Sequence, residues 1–315
     1  MLQSHSIAAS SRQTYQQGIA AYTSFCKTYN LVPYPLEEHT LRLFATFLAR
    51  SLSFASIRTY MAAVRHNHIE LGYTPRFSSM ERLRLLMRAI KRVKGQFTQP
   101  KRAPITIDHM KTLKNNLRGS DHKDPDKLML WAAFTTASFG FLRSSEFCSR
   151  TSQAFEPSRT LLVKDVSITG QTAFVNIKIS KTDPFREGQI IRLAASNSSV
   201  CPVRALQNHL RNCNLPNQPL FTFADASYLS RQILSNILKS LLPKHNCSPF
   251  SSHSFRIGAA TTAAAAGIPE WLIKVLGRWS SDCYERYIKT PATVLERVPF
   301  LLCSSVVSRS AVWQP

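Results

Sequence analysis

Four stretches between residues 10 and 94 repeat apolar side chains at every third or fourth position, the spacing that lines one face of a helix. In "SSRQTYQQGIAAYTSFCKTYNL" the repeating positions are Tyr15, Ile19, Tyr22 and Phe25 or Cys26, and Ser10 or Ser11 stands where a cap is expected. "YPLEEHTLRLFATFLARSL" repeats the pattern with Leu41, Phe44 and Phe47 or Leu48, and "SFASIRTYMAAVRHNHIELG" predicts a third helix ended by Gly72. The fourth stretch, "SSMERLRLLMRAIKRVKG", sets Met80, Leu83, Met87, Ile90 and Val93 on one face and Arg82, Arg84, Arg88, Lys91 and Arg92 on the other.

The pattern breaks at "GQFTQPKRAPIT", a polar and basic run with two prolines. It divides the chain into a helical part (1–97), a basic linker (98–104), a second folded part (105–291) and a tail (292–315). In the second part "ITIDHMKTLKNNL" reads as a short helix. "DPDKLMLWAAFTTASFGFLRSSEFC" reads as another, with Asp124 as its cap and Pro125 at its first helical position. "LLVKDVSI", "TAFVNIKIS" and "QIIRLAA" alternate apolar and polar residues and predict three short antiparallel strands. Helical spacing returns at "CPVRALQNHLRNC". The expected fold is mainly α with one small antiparallel β-sheet.

Charge narrows the partner. The 315 residues hold 40 Lys and Arg against 18 Asp and Glu, a formal net charge of +22. Such an excess repels itself in a compact chain and is best tolerated against a polyanion. The first 102 residues carry net +11, as do the remaining 213, so positive charge is about twice as dense at the start. Arg82, Arg84, Arg88, Lys91, Arg92, Lys94, Lys101 and Arg102 follow one another with no acid among them, as a surface tracking phosphates requires. Nucleic acid is therefore the expected partner. No run of 18 apolar residues suggests a membrane span. The seven scattered cysteines lack a Cys-x-x-Cys pair, and the start lacks the features of a signal peptide; both point to free thiols in a reducing compartment. Cys201, His209 and Cys213 lack a fourth metal ligand, and Asp121, Asp124 and Asp126 read as caps and solvated loop acids.

The candidate chemistry is concentrated in "SHSFRIGAATTAAAAGIPEWLIKVLGRWSSDCYERYI". His253 and Arg256 are three apart and face the same side of a helix. A guanidinium grips phosphate oxygens through two donors, and an imidazole moves a proton near neutral pH. The alanine run keeps this helix thin. Gly267 ends it, Pro269 opens the next, Gly277 ends that one, and a third short helix starts at Ser280 or Ser281. Such a unit would bring His253, Arg256, Arg278 or Trp279, and Tyr287 onto one surface. A tyrosine hydroxyl beside an arginine-bound phosphate is a nucleophile that needs help losing its proton.

These motifs, in this order, resemble the tyrosine recombinases, the phage-integrase superfamily. The wording around His253 looks most like the recombinases of eukaryotic mobile elements, the Crypton, Ngaro and DIRS-like groups. The resemblance implies that residues 1–97 form a helical core-binding domain and 105–291 a catalytic domain. Carried over by position, the first arginine falls on Arg143 in "FGFLRSSEF", with Glu146 in the acidic place. The hairpin lysine falls on Lys181 in "ISKTDPFREG", the His-x-x-Arg pair on His253 and Arg256, and the nucleophile on Tyr287, with Tyr284 second. Where many members have His or Trp directly after the glycine, this chain has Arg278 followed by Trp279, and either is placed to reach the phosphate. The resemblance further implies nuclear DNA integration through a 3′-phosphotyrosyl link, without metal or cofactor. It implies double-stranded DNA as the form of the partner, two subunits per DNA site and a tetrameric synapse, with the apolar tail available to dock on a neighbour. A non-catalytic DNA-binding descendant of a mobile element and a type IB topoisomerase are the two alternatives.

Overall fold

The computed structural model describes residues 9–74, 77–95, 102–180, 183, 187–243, 250–282, 285 and 288. The chain divides into two compact units, Met1–Gln99 and Pro100–Pro315.

The first unit contains α1 (Ala9–Thr28), α2 (Glu38–Ala49), α3 (Phe54–Glu70), a 3₁₀ turn at Phe77–Ser79, and α4 (Glu81–Gly95). Ser10 and Ser11 lie inside α1, not at its cap. Tyr22, Phe25, Leu41, Phe44, Leu48, Ile57 and Val64 fill the core. α1 and α3 pack closely because Gly18 has no side chain: a Cβ there would lie 3.1 Å from both Ala63 Cβ and Tyr60 Cα. The Leu83 N–H donates to Glu38 Oε1 at 2.8 Å, fastening α4 to α2. The apolar stripe of α4 is shorter than its periodicity predicts. Ile90 is buried and Met80, Leu83 and Met87 are partly buried, but Val93, near the helix end, is 60% exposed.

The second unit contains α5 (Ile107–Arg118), α6 (Asp124–Phe139), the single turn α7 (Ser144–Phe147), and strands β1 (Val166–Thr169), β2 (Thr172–Ile177) and β3 (Gln189–Ala194). It continues with α8 (Pro202–Leu210), α9 (Arg231–Leu241), α10 (Ser254–Ala265) and α11 (Glu270–Leu276). The sheet is antiparallel in the order β1-β2-β3, with Val166 opposite Val175 and Phe174 opposite Arg192. Alternation on β2 buries Ala173, Val175 and Ile177 on one face, as a half-covered sheet requires. "LLVKD" is not strand throughout: Val163–Asp165 is a 3₁₀ turn, closed by the Leu162 N–H donating to Asp165 Oδ2 at 2.7 Å.

Helix α6 is buried nearly all round, with Met129, Leu130, Phe134 and Ala137 in the main core. It begins at Asp124, with Lys123 in the capping position and Pro125 in the first turn. Asp126 is not a solvated acid: it is buried, and its Oδ1 accepts from the Ala224 N–H at 2.7 Å. The small residues of α10 permit close approach. A Cβ on Gly258 would fall 1.9 Å from the Ile105 carbonyl oxygen, and the Ile105 N–H donates to Ser254 O at 3.0 Å. A second, smaller core gathers Phe141, Ala259, Ala260, Ala263, Ile273 and Trp279 where α10, α11 and the end of α6 meet.

Candidate functional site

Helix ends build this site. Among the described residues, five helices close in the same turn, in which the second residue past the last hydrogen-bonded turn enters left-handed backbone space and two N–H groups bond back to helix carbonyls. At α1, α3 and α10 the left-handed residue is Asn30, Gly72 or Gly267, types that adopt it easily. At α6 and α11 it is Phe141 (φ 50°) and Arg278 (φ 54°), which carry full side chains at a cost of about 1–2 kcal/mol each. For α6 the bonds run from Phe141 N to Ser138 O (3.2 Å) and Leu142 N to Ala137 O (3.0 Å). For α11 they run from Arg278 N to Val275 O (2.9 Å) and Trp279 N to Lys274 O (3.0 Å). These two strained ends face each other.

The turn after α6 presents carbonyls to cations, as the negative end of a helix favours. Arg278 Nη1 donates to Gly140 O at 3.0 Å. Arg256, 1% exposed, donates through Nη1 to Phe141 O and through Nη2 to Gly277 O. Its guanidinium lies 4.1 Å from the centre of the Trp279 ring, which also packs edge-on against Phe141. Gly277 is required by this stack and not by its own backbone: its φ is −81°, but a Cβ would fall 1.5 Å from the Trp279 ring. The residue that turns the chain out of α11 is Arg278, not Gly277.

Arg143 follows two residues later, in the capping position of α7. Its N–H donates to Glu146 Oε2 at 2.9 Å, and its Nη1 donates to Glu146 Oε1 at 2.9 Å. Arg278 Nη2 reaches Glu146 Oε2 at 2.7 Å, so one fully buried carboxylate is shared by two guanidiniums. Burial by itself would raise the Glu146 carboxyl; Arg278, the Arg143 N–H and the Arg143 guanidinium overcome this and hold it below its ordinary value. Among the described residues, three arginines and one carboxylate meet at the turn, an excess of positive charge. The Nε–H of Arg278 is buried without a hydrogen-bond partner among the described residues.

His253 stands at the start of α10, its N–H donating to Ser251 Oγ at 3.3 Å. Burial, then the positive charges of Arg102, Arg256 and Arg143, push its imidazole down to about 4, so it is neutral at pH 7. Arg102, read from the sequence as part of the basic run, thus adds its field to this site.

Arg143 and Arg278 are brought together on Glu146, Arg256 and Trp279 stack beside them at the Phe141 and Gly277 turns, and His253 lies in the field of Arg143 and Arg256. Lys181, Tyr284, Tyr287 and Lys101 lie outside the described residues. Arg82, Arg84, Arg88, Lys91 and Arg92 are exposed on α4 of the first unit and Lys94 is partly buried; Arg84 pairs with Glu81 of its own helix. Ser180 was not legible in the sequence. Its hydroxyl accepts from Arg143 Nη1 at 2.7 Å and donates to Glu146 Oε1 at 2.9 Å, tying the β2–β3 connection to the arginine pair. Its place directly before Lys181 is the one signal that pointed to it. The base of that connection is anchored by Lys178, whose Nζ lies 2.6 Å from Asp165 Oδ2. His209 of the Cys201–His209–Cys213 set is buried and donates from Nε2 to Leu220 O at 2.7 Å.

No protein-family model matches the chain, and no curated protein matches it. Solved structures do. The XerH site-specific recombinase bound to difH substrate superposes over 92% of this chain and 79% of its own, with a TM-score of 0.60 and 13% identity. A lambda integrase dimer bound to a COC′ core site matches over 91% and 74%, with a TM-score of 0.57 and 14% identity. The Tn1549 transposon integrase in complex with circular intermediate DNA matches over 90% and 98%, with a TM-score of 0.54 and 13% identity. With its helices and three-stranded antiparallel sheet in this arrangement, the chain has the fold of the tyrosine recombinases.

Proposed function

We propose that this protein is a DNA strand-exchange enzyme of a mobile element, working through a 3′-phosphotyrosyl intermediate. The observation that carries the reading is the pairing of Arg143 and Arg278 on one buried carboxylate at two strained helix ends, with Arg256 on the carbonyls of the same two ends, a cluster of cations that a phosphodiester would offset. Among the solved structures with this fold, the Tn1549 transposon integrase is in complex with circular intermediate DNA and the XerH recombinase is bound to difH substrate.

In the proposed reaction the Tyr287 hydroxyl oxygen forms a bond to phosphorus while the bond to the 5′ oxygen breaks. Lys181 gives a proton to the leaving oxygen. Arg143 and Arg256 hold the non-bridging oxygens as charge develops, a contribution of about 3–4 kcal/mol per donor in comparable sites. Arg278 supplies a further cation through the carboxylate it shares with Arg143, and Trp279 positions Arg256. His253, neutral at working pH, accepts a hydrogen bond from the tyrosine and relays its proton. The covalent link retains the energy of the broken bond, so rejoining uses neither ATP nor metal. The basic face of α4 would track phosphates. Two subunits per site, a tetrameric synapse, docking of the 292–315 tail on a neighbour and a nuclear location complete the proposal.

Covalent trapping on a nicked suicide substrate carrying a candidate element terminus tests the reading. Wild-type protein should form a protein–DNA adduct, Tyr287→Phe none, and both should bind the DNA. Adducts at full yield from Tyr287→Phe would remove Tyr287 as nucleophile. DNA binding without adducts from wild type would favour the non-catalytic descendant.

A further inference from the structure

A second basic site lies away from these residues. A pocket of about 250 Å³ opens between α5, α6 and α8, lined by Lys114, Arg118, Lys127, Arg204, Trp131 and Asn208 among others, with no carboxylate among the described residues that line it. Trp131 is eight residues before Phe139, where α6 ends, about 12 Å at 1.5 Å per residue, and the turn that leads to Arg143 lies beyond that end. The pocket contains none of the residues assigned to strand transfer.

Three of its four cations have partners in the fold. Lys114 Nζ donates to Ser199 O at 2.6 Å and lies 5.5 Å from the centre of the Trp131 ring. Arg204 Nη2 donates to Ser198 O at 2.9 Å. Lys127 lies 3.6 Å from Asp124, whose side chain is 93% exposed and so screens it little. Burial, then the neighbouring Arg204 and Arg118, depress the Lys114 ammonium below its ordinary value. Four like charges converge on one cavity with an aromatic ring and a carboxamide. An anion relieves their repulsion, a flat ring stacks on indole, and a carboxamide offers both a donor and an acceptor to a base edge. At about 250 Å³ the cavity lies near the lower end of the roughly 300–1,000 Å³ of small-ligand pockets, room for one small unit and not for an extended chain.

We propose that this pocket binds a single nucleotide unit, its phosphoryl group on Lys114, Arg118 and Arg204 and its base against Trp131 and Asn208. The shared chemistry has two sources, a free nucleotide and one nucleotide of a bound DNA. Calorimetric titration of the full chain tests it, with adenosine 5′-monophosphate, inorganic phosphate, a hexaglutamate peptide and a short random duplex as probes. The monophosphate should bind one-to-one and about tenfold tighter than inorganic phosphate. Lys114→Gln and Arg204→Gln, both at polar positions, should each weaken it about tenfold or more. Trp131→Leu should abolish the difference between the two anions; if that variant fails to fold, the lysine and arginine variants still decide. Displacement of the monophosphate by duplex assigns the unit to DNA, and its persistence assigns it to a free nucleotide. No binding at millimolar monophosphate, equal binding by the Lys114 and Arg204 variants, or tighter binding of hexaglutamate overturns the proposal. The result is independent of Tyr287, so Tyr287→Phe protein serves equally well and failure of strand transfer leaves this test intact.

Discussion

Glu146 is the residue on which the arginine cluster turns. It is buried and shared by Arg143 and Arg278, and removing its charge would leave two guanidiniums uncompensated. Glu146→Gln should therefore lose about 3–5 kcal/mol of stability in urea unfolding near neutral pH. The pH dependence has a definite sign. A carboxyl held below its ordinary value contributes stability that is complete above the ordinary value of 4.5 and is lost as pH falls through the lower folded value. The stability difference between pH 7 and pH 3 should accordingly shrink in Glu146→Gln. His253 behaves in the same sense for a different reason. The unfolded chain takes up a proton below about 6.5, while the folded chain does not until about 4, so this contribution is full above 6.5 and declines toward 4. Arg102→Gln removes one of the charges that disfavour the imidazolium. The His253 ring signal in NMR should then titrate at higher pH than in wild type; an unchanged titration would show that Arg102 does not reach the ring.

At the scale of elements, two glycines that look alike in sequence act differently. Gly267 has φ +76° and open space around a would-be Cβ, so its requirement is conformational. Gly277 has ordinary backbone and no room, because the Trp279 ring occupies the Cβ position. Gly267→Ala should cost about 1–2 kcal/mol in thermal or urea unfolding and leave the aromatic near-ultraviolet circular dichroism unchanged. Gly277→Ala should cost about 1–3 kcal/mol and alter that spectrum, because the indole must leave the Arg256 guanidinium. The apolar face of α4 teaches a related lesson. Helical spacing placed Val93 with Ile90, but only Ile90 is buried, and Val93, in the last turn of α4, is left exposed although it is in phase with the core.

For the whole molecule the governing quantity is the charge of +22. If α4 tracks phosphates, replacing Arg82, Arg88, Lys91 and Arg92 by Gln should weaken duplex binding roughly equally for all sequences. It should also flatten the dependence of log affinity on log salt by about 0.9 per contact removed. Fluorescence anisotropy over a salt series reads the slope directly, and an unchanged slope would exclude that face. Among the described residues no helix is long and apolar enough to cross a membrane.

Periodicity and punctuation in the sequence determined the helices, the three-stranded antiparallel sheet and the fold class, because a 3.6-residue or two-residue repeat of apolar side chains leaves few alternatives. Composition alone supplied the expectation of a polyanionic partner. The tertiary structure decided what no linear pattern encodes. It set Arg278 in left-handed backbone opposite Phe141, gave Glu146 to two arginines at once, laid Trp279 under Arg256, and brought Ser180 from 37 residues away to Arg143. It also turned Asp126 from a solvated acid into a buried tether. Each of these depends on which helix ends meet in space, and the energy of a shared buried charge exists only once water has been excluded around it.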